Sequence, residues 1–322
     1  MFNKKFIIAA AISATAISMP TQALWGSADD DVVTEMKFAM VQGIQSNEYR
    51  AAKIMADYID EKTEGNLTLK LYTDSQLGDD IEVMEQMTSG VLDLGYVNYG
   101  RYNVWMPELT ILQYPYVFND FSHIQRFSET KYFQKKMNEI RNTYKWRVLG
   151  LSYGGSRNTT TTTVKLETPE DFKSLKIRTP KAKGNMAYVK GLHASPTPMS
   201  FSEVYLALKT NAVDGQENPL SIIDSAKFYE VQKYLAMTKH ITIGMNIVIS
   251  DLTWEKIPED YRPIVEKAAQ IAAKEVTTAY VSDENSLITK FEKAGMEVTY
   301  PDNEKFASYF VDMKKEFKSQ GN

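Results

Sequence analysis

The stretch LKIRTPKAKGNMAYVKGLHASPTPMSFSEVYLALKTNAVDGQENP, residues 175–219, alternates short strand-like segments with longer helix-like ones. This alternation predicts a helix in each interval and three strands, at 175–179, 194–199 and 212–217. Strands that alternate with helices form a largely parallel sheet. In such sheets ligands bind outside the carboxyl ends of the strands, so residues at those ends are candidate site residues.

Arg178 lies at the end of the first of these strands. Ile177 points to one face of the strand and Arg178 to the other, and Pro180 ends the strand pairing. A guanidinium group can bind a carboxylate through two parallel hydrogen bonds, which a lysine cannot do. Only eight of the 37 basic residues are arginines, so an arginine here is informative. The alternative is a structural ion pair with a surface carboxylate, and position alone leaves both open.

The N-terminal part of the chain repeats the strand and helix pattern. Alternating apolar residues predict strands at 33–41, 67–71 and 91–97. Helices are predicted between them, at 48–62 and 79–89, because a polar cap precedes each one and a glycine follows it. This β-α-β-α-β order again implies a largely parallel sheet with helices on both faces.

Longer elements are predicted in the rest of the chain. A helix at 121–143 leads to a strand at 146–153, and Thr168 begins a segment with the form of a helix start. A further strand is predicted at 243–250 and a long helix at 259–294. At roughly 1.5 Å per residue this helix would exceed about 50 Å, which is longer than one small domain is wide.

The predicted fold class is α/β, with two lobes, a hinge, a ligand cleft between the lobes and the long helix spanning both. The Gly-Gly pair at 154–155 offers a place where the chain can leave one lobe. We predict lobe I from residues 24–154 and 243–280, and lobe II from residues 155–242 and 281–322. Two such lobes can close on a ligand by hinge bending.

Composition describes an ordinary globular protein of 322 residues, with 43% hydrophobic and 24% charged residues. Residues 1–23 predict a secretory signal peptide, because Lys4 and Lys5 precede an apolar run that is too short to span a bilayer comfortably. Cleavage after Ala23 or Ala28 would release the protein into a periplasm. The chain has no cysteine, which excludes disulfides, thiolate metal sites, thiol nucleophiles and a lipid-anchored cysteine.

The charge argues against nucleic acid as a partner. The formal net charge is −4, and loss of the two lysines in the predicted signal peptide would make it more negative. No later stretch reaches the roughly 18 apolar residues of a membrane span, so we expect no membrane insertion of its own.

Motifs for catalysis or cofactor binding are missing from the sequence. It contains neither a phosphate-binding loop nor a dinucleotide glycine fingerprint. His123, His193 and His240 stand too far apart for metal-ligand spacing. Paired acids such as Asp79 and Asp80 are more typical of a helix cap than of an acid-base couple. We therefore expect no catalytic residues, no cofactor, no metal site and no enzymatic activity.

Several polar groups remain at predicted strand ends, namely Arg101, Arg157, Arg178 and Asn218. Three arginines that converge on a cleft would attract an anion and hold it by charge-assisted hydrogen bonds. Phe201 could supply an apolar wall, or it could equally be a helix-start residue packed in the core.

Several motifs resemble those of the solute-binding proteins of TRAP (tripartite ATP-independent periplasmic) transporters. The most specific is ASPTPMSFSEVY at 194–205, which is followed by DGQENP at 214–219. GSRNTT at 155–160, LKIRTP at 175–180 and SQLGDD at 75–80 also match. The resemblance extends over essentially the whole mature chain and is greatest to the branch that includes sialic-acid and sugar-acid binders.

The resemblance implies two α/β lobes with a long helix across them, and it implies roles for residues at one end of the ligand. Arg178 matches the arginine that pairs with the ligand carboxylate, and Arg157 matches a second arginine that supports it. Asn218 matches an amide that bonds the same end of the ligand, and Phe201 matches an aromatic residue beside it.

The resemblance also indicates altered contacts to the rest of the ligand. Arg101 and Asp80 match polar positions that contact it in sialic-acid binders. Those binders carry an asparagine after the first strand, a glutamate after the third and an asparagine beyond the arginine strand. This chain has Val41, Asn98 and Lys181 there. Carboxylate capture is thus expected to be intact, and a smaller sugar acid is expected in place of sialic acid.

The expected function is capture of a small organic anion, such as a uronate or an aldonate, by a periplasmic monomer that delivers it to a two-subunit TRAP membrane permease. One alternative is binding of sialic acid (N-acetylneuraminate) within the same family, and another is presentation of the ligand to a sensor kinase. A third is a secreted hydrolase or lyase that uses Asp79, Asp80 or Glu217 as acid-base groups.

Overall fold

The structure, a computed structural model, describes residues 34–312 and residue 315. The predicted signal peptide and both of its predicted cleavage points lie outside the described residues. Among the helices described, none is long and apolar enough to cross a membrane.

Within the described residues, nine strands form one continuous sheet. They are β1 (Glu35–Ala39), β2 (Thr68–Tyr72), β3 (Leu94–Asn98), β4 (Trp146–Thr161), β5 (Lys176–Thr179), β6 (Ser195–Pro198), β7 (Gly215–Asn218), β8 (Tyr234–Ser250) and β9 (Glu297–Thr299). The order is β2-β1-β3-β8-β4-β7-β5-β6, and β9 pairs with β8. β1 is parallel to β2 and β3, and β5 is parallel to β6 and β7. In the middle, β8 is antiparallel to β3 and β4, and β4 is antiparallel to β7, so the sheet is mixed.

Helices connect most of these strands. The α-helices of the described part are α1 (Asn47–Lys62), α2 (Asp80–Ser89), α3 (Phe121–Ser128), α4 (Lys131–Tyr144), α5 (Lys183–Gly191), α6 (Val204–Lys209), α7 (Leu220–Ser225), α8 (Asp251–Trp254), α9 (Arg262–Lys293) and α10 (Asn303–Ser308). Short 3-10 helices occur at Tyr99–Val104, Pro107–Gln113, Pro169–Phe172, Phe201–Glu203, Phe228–Glu230 and Glu259–Tyr261.

Local sequence explains where the first two helices begin and end. At the start of α1, Ser46 Oγ accepts a hydrogen bond from the backbone N–H of Tyr49 at 3.1 Å. Asp79 and Glu82 form a reciprocal capping box at the start of α2. Gly90 ends α2 with a φ of 72°, a left-handed conformation that glycine adopts without strain.

Two helix predictions were wrong in detail. The helix predicted at 121–143 is divided into α3 and α4, because Thr130 Oγ1 accepts a hydrogen bond from the backbone N–H of Phe133 and starts a new helix. The helix start predicted at Thr168 yields only the 3-10 turn Pro169–Phe172. Ser174 then takes a positive φ of 69°, which ends the helical path and leads the chain into β5.

The strands β4 and β8, with 16 and 17 residues, are about twice as long as predicted. The Gly-Gly pair at 154–155, predicted as an exit from one lobe, lies inside β4. There the pairing with β8 shifts register between Tyr153 and Ser156. A Cβ atom on Gly155 would lie 2.7 Å from a side-chain atom of Pro219, so only glycine fits this irregular turn of the strand.

Four clusters of buried apolar side chains flank the sheet. Two of them have buried members from residues 36–146 and 241–280, and the other two from residues 166–237 and 291–310. The 32-residue helix α9 contributes Ala268 to one of the first pair and Phe291 to one of the second. The two lobes with the boundaries given above remain a prediction.

Candidate functional site

A cavity lies where β1, β3, β5 and β7 end. Its partly apolar wall with a few convergent polar groups is typical of a small-molecule site. All eight residues predicted to bind a ligand line this cavity, namely Asp80, Asn98, Arg101, Arg157, Arg178, Lys181, Phe201 and Asn218. Apolar side chains complete the wall, among them Ile81, Ile222, Ile243 and Met245.

Neighbouring strands bring three of these residues together. Asn218 is the last residue of β7, and β7 lies between β4, which carries Arg157, and β5, which carries Arg178. Adjacent strands are only about 4.8 Å apart, so residues that are distant in sequence meet at one edge. Asp80 and Arg101 come from the start of α2 and from the 3-10 helix after β3.

Arg178 is almost fully buried, with 2% of its surface exposed. Its Nη2 donates a hydrogen bond to the backbone oxygen of Met199 at 2.8 Å, while its Nε has no hydrogen-bond partner. No carboxylate of the described residues forms an ion pair with it, in contrast to the other two arginines of the cavity. Burial and the nearby charge of Arg157 lower the pKa of Arg178 to about 9, so the side chain stays positively charged at neutral pH.

Arg157 is also buried, but Glu217 neutralises it. The guanidinium donates from Nε to the Glu217 carboxylate and from Nη2 to the Glu217 backbone oxygen. Asn185 Nδ2 donates to Glu217 Oε1 at 3.1 Å, and His240 Nε2 lies 3.1 Å from Glu217 Oε2. Burial by itself would raise the pKa of Glu217, but the charge of Arg157 and the hydrogen bonds of His240 and Arg157 lower it to about 2.

His240 is held in the neutral form behind this pair. Burial lowers its pKa below the usual 6.5. Its ring stacks on Tyr188 with centroids 3.6 Å apart, and its Nδ1 lies 2.8 Å from Thr238 Oγ1. A neutral imidazole in this position can donate from Nε2 to Glu217 and accept at Nδ1 from Thr238. The carboxylate of Glu217 is therefore paired within the protein by Arg157, Asn185 and His240, and has a structural character.

Arg101 pairs with Asp80 at the cavity wall. Its Nε donates to Asp80 Oδ2 at 2.6 Å, while its Nη1 is buried without a hydrogen-bond partner. Two of the three arginines thus have a carboxylate from the chain and Arg178 has none. The pairing leaves one buried positive charge, which matches a single ligand carboxylate.

The two predicted amide residues of the cavity, Asn98 and Asn218, are each held by a glutamine side chain. Asn98 Oδ1 accepts hydrogen bonds from the Nε2 of Gln113 at 2.6 Å and from the backbone N–H of Gly100 at 2.9 Å. Asn218 Nδ2 donates to Gln216 Oε1 at 2.5 Å. In each case one end of the amide is fixed from inside the protein, which orients the other end.

Phe201 and Lys181 differ in their surroundings. The ring centroid of Phe201 lies 6.0 Å from the guanidinium carbon of Arg178, so the ring covers the cation that we expect to bind the carboxylate. Lys181 is exposed to solvent and forms no ion pair within the described residues. Its ammonium group therefore stays hydrated, although the residue lines the cavity.

Three further polar residues of the cavity, Gln42, Glu48 and Tyr280, were not predicted from the sequence. Glu48 belongs to the first turn of α1 and Tyr280 to α9, and the two side chains are hydrogen-bonded. Their place in the site depends on helix packing between distant parts of the chain. Among the described residues, no group of three or more His, Asp or Glu side chains could hold a metal ion.

Comparisons with known proteins agree on one family. Residues 38–320 match the family described as "Bacterial extracellular solute-binding protein, family 7". The Vibrio cholerae serotype O1 protein named Sialic acid-binding periplasmic protein SiaP is 43% identical over 303 residues, which cover 94% of each chain. The Escherichia coli K12 protein named 2,3-diketo-L-gulonate-binding periplasmic protein YiaO is 30% identical over 263 residues, covering 82% of this chain and 80% of that protein.

A solved structure is similar over most of its length. It is a TRAP periplasmic solute binding protein from Chromohalobacter salexigens with bound D-glucuronate, and it superposes with a TM-score of 0.83 at 26% identity. The match covers 88% of this chain and 95% of that one. The similarity confirms the predicted α/β fold class.

Proposed function

The chain belongs to family 7 of the bacterial extracellular solute-binding proteins, and within this family of TRAP transport proteins we propose that it captures a small sugar acid, a uronate or an aldonate. It then delivers the acid to a two-subunit membrane permease. We further propose that residues 1–23 direct export to the periplasm, that the protein acts as a monomer, and that it binds its ligand without covalent chemistry.

The observation that supports a carboxylate ligand is the buried Arg178 without a counter-charge. Burying a charge in a protein interior is costly unless the charge is paired and hydrogen-bonded. Arg178 Nε and Arg101 Nη1 are both buried donors without partners among the described residues, and both residues line the same cavity. A ligand carboxylate would supply the counter-charge and accept hydrogen bonds from these donors.

The similar proteins support a sugar acid in particular. One solved structure holds D-glucuronate, and YiaO is named for binding 2,3-diketo-L-gulonate. In this chain Val41, Asn98 and Lys181 line the cavity at the positions where the sequence departs from sialic-acid binders. Sialic acid is the second candidate, because the similarity to SiaP at 43% identity favours it.

Thermal unfolding of the mature protein in the presence of single acids tests this proposal. The set comprises D-glucuronate, L-galactonate, N-acetylneuraminate, succinate and neutral D-glucose. A ligand that binds only the folded state, at a free concentration of 100 times its Kd, stabilises that state by about 2.7 kcal/mol. This stabilisation raises the melting temperature clearly. We expect the largest rise with a uronate or an aldonate and none with D-glucose. A rise with D-glucose alone would contradict the proposal, and recovery of chemically altered acid would indicate an enzyme.

A further inference from the structure

Glu48 is a buried acid in the wall of the ligand cavity. It belongs to the first turn of α1 and only 1% of its surface is exposed. One carboxyl oxygen, Oε1, accepts a hydrogen bond from the hydroxyl of Tyr280 on α9. The other oxygen, Oε2, is buried and has no partner in the structure.

Gln42 provides a second unpartnered oxygen in the same wall. It follows β1, it is buried, and its Oε1 makes no hydrogen bond. Buried polar atoms in native proteins are nearly always satisfied, so two such oxygens on residues that line one cavity need an explanation. The simplest one is that a bound molecule donates hydrogen bonds to both.

Glu48 does not serve as a counter-ion for the cavity arginines. Its Oε1 accepts a hydrogen bond from the Tyr280 hydroxyl, and the cation whose charge acts on its carboxyl is Arg50, which does not line the cavity. Burial is the largest influence and raises the pKa of Glu48, while these neighbours oppose the rise. The carboxyl is therefore biased toward its neutral form, in which it can both accept and donate a hydrogen bond.

We propose that Glu48 and Gln42 bind the hydroxyl groups of the ligand and thereby select polyhydroxylated monocarboxylates over acids that lack hydroxyls. This assignment rests on the proposed function, in which Arg178 binds the carboxylate. It divides the cavity into a part that takes the carboxylate, around Arg178, and a polar part that takes the sugar hydroxyls, around Glu48 and Gln42. A site that is built to hydrogen-bond a hydroxyl strongly rejects an analogue without one, because its own polar groups then stay unpaired.

The test compares two six-carbon acids, L-galactonate and hexanoate, which share the carboxylate and differ in hydroxyl groups. Their Kd values are measured by calorimetry and by competition for wild type, Glu48→Leu, Gln42→Leu and the double variant Glu48→Leu/Tyr280→Phe, which leaves no tyrosine hydroxyl unpaired. Asp57→Asn is the matched control, since Asp57 is an exposed acid on the same helix and forms an ion pair with Lys53.

We expect each cavity variant to bind L-galactonate about 10- to 100-fold more weakly, the range for losing a buried hydrogen-bond partner, and to bind hexanoate as well as wild type or better. Asp57→Asn should match wild type for both acids. The inference is overturned if the cavity variants bind L-galactonate as wild type does, or if they lose both acids in equal proportion. Should wild type bind no sugar acid at all, the proposed function itself fails, and the inference falls with it.

Discussion

Arg157 and Arg178 line the same cavity and are both buried, yet among the described residues only Arg157 has a carboxylate partner. Glu217 neutralises Arg157, whereas Arg178 donates to a carbonyl oxygen and keeps its full charge. Breaking a buried ion pair is strongly destabilising, but a buried charge without a counter-charge has no ion pair to lose. The charge that remains after pairing is thus a better guide to ligand contact than the number of arginines in a site.

The largest expected effect concerns the paired arginine. Arg157→Met should lower the free energy of unfolding by about 3–5 kcal/mol, because it leaves the carboxylate of Glu217 buried without its partner. Urea denaturation of the unliganded protein measures this change. The double variant Arg157→Met/Glu217→Gln is the control, since it removes both charges, and it should recover a large part of the loss. Equal stability of the single variant and wild type would contradict the structural role.

The unpaired arginine should show the opposite behaviour. Arg178→Ala should weaken binding of the sugar acid by about 2–5 kcal/mol, the range for truncating one partner of a buried charge pair. The unliganded protein should not become less stable, because no ion pair within the chain is lost. Calorimetric titration measures the affinity for the sugar acid, and urea denaturation measures the free energy of unfolding. The affinity of Arg178→Lys should lie between those of wild type and Arg178→Ala, because lysine keeps the charge but lacks the planar pair of donors. Unchanged affinity in Arg178→Ala would refute the assignment of Arg178 to the ligand carboxylate.

Lowering the pH should reduce the stability that the groups around Arg157 contribute. The pKa of Glu217 is lowered from 4.5 to about 2, so its contribution is present above pH 4.5 and is lost as the pH falls toward 2. The pKa of His240 is also lowered, so below pH 6.5 the unfolded chain takes up a proton that the folded chain resists. Each proton changes the free energy of unfolding by at most about 1.4 kcal/mol per pH unit.

Urea denaturation between pH 7 and pH 3 follows this decline. The variant Arg157→Met/Glu217→Gln lacks the titrating carboxylate and should show a shallower slope between pH 5 and pH 3. An identical slope in both proteins would mean that other carboxylates determine how the free energy of unfolding falls at low pH.

The smallest effect is expected for the exposed cation. Lys181→Ala should change the affinity for a monocarboxylate by less than about 1 kcal/mol, because a hydrated surface charge interacts weakly with its surroundings. Titration at low and at moderate salt measures the difference. A loss as large as that of Arg178→Ala would mean that exposure does not separate the two cations, and would point to a ligand with a second negative charge.

Local chemistry made much of the fold and the site predictable. Ser46, Asp79 and Gly90 delimit helices through contacts within a few residues, so the sequence shows them directly. Most of the predicted site residues lie at strand ends or in the segments that follow them, and the edge of a sheet collects such residues in one place. Arg157 was also predicted at a strand end, which was wrong, because β4 continues to Thr161 and places Arg157 inside the strand. Their contact with a ligand remains a prediction.

The pairing pattern inside the site was not predictable in the same way. Arg157 and Glu217 are 60 residues apart, and their contact depends on the register of β4 against β7. Glu48 and Tyr280 are 232 residues apart and meet through the packing of α1 on α9. The second half of β4 is rich in threonine and buried on both faces, so it shows no alternation that would reveal its length.

The sheet cannot be completed until β8 is available, because β8 lies in its middle. β8 separates β3 from β4, although it is made from residues 234–250, long after both of its neighbours. A chain emerging from the ribosome therefore exposes the open edges of two strands until about three quarters of it has been synthesised. Non-local pairing of this kind is slow, so we expect the sheet to close only after residues 234–250 have become available.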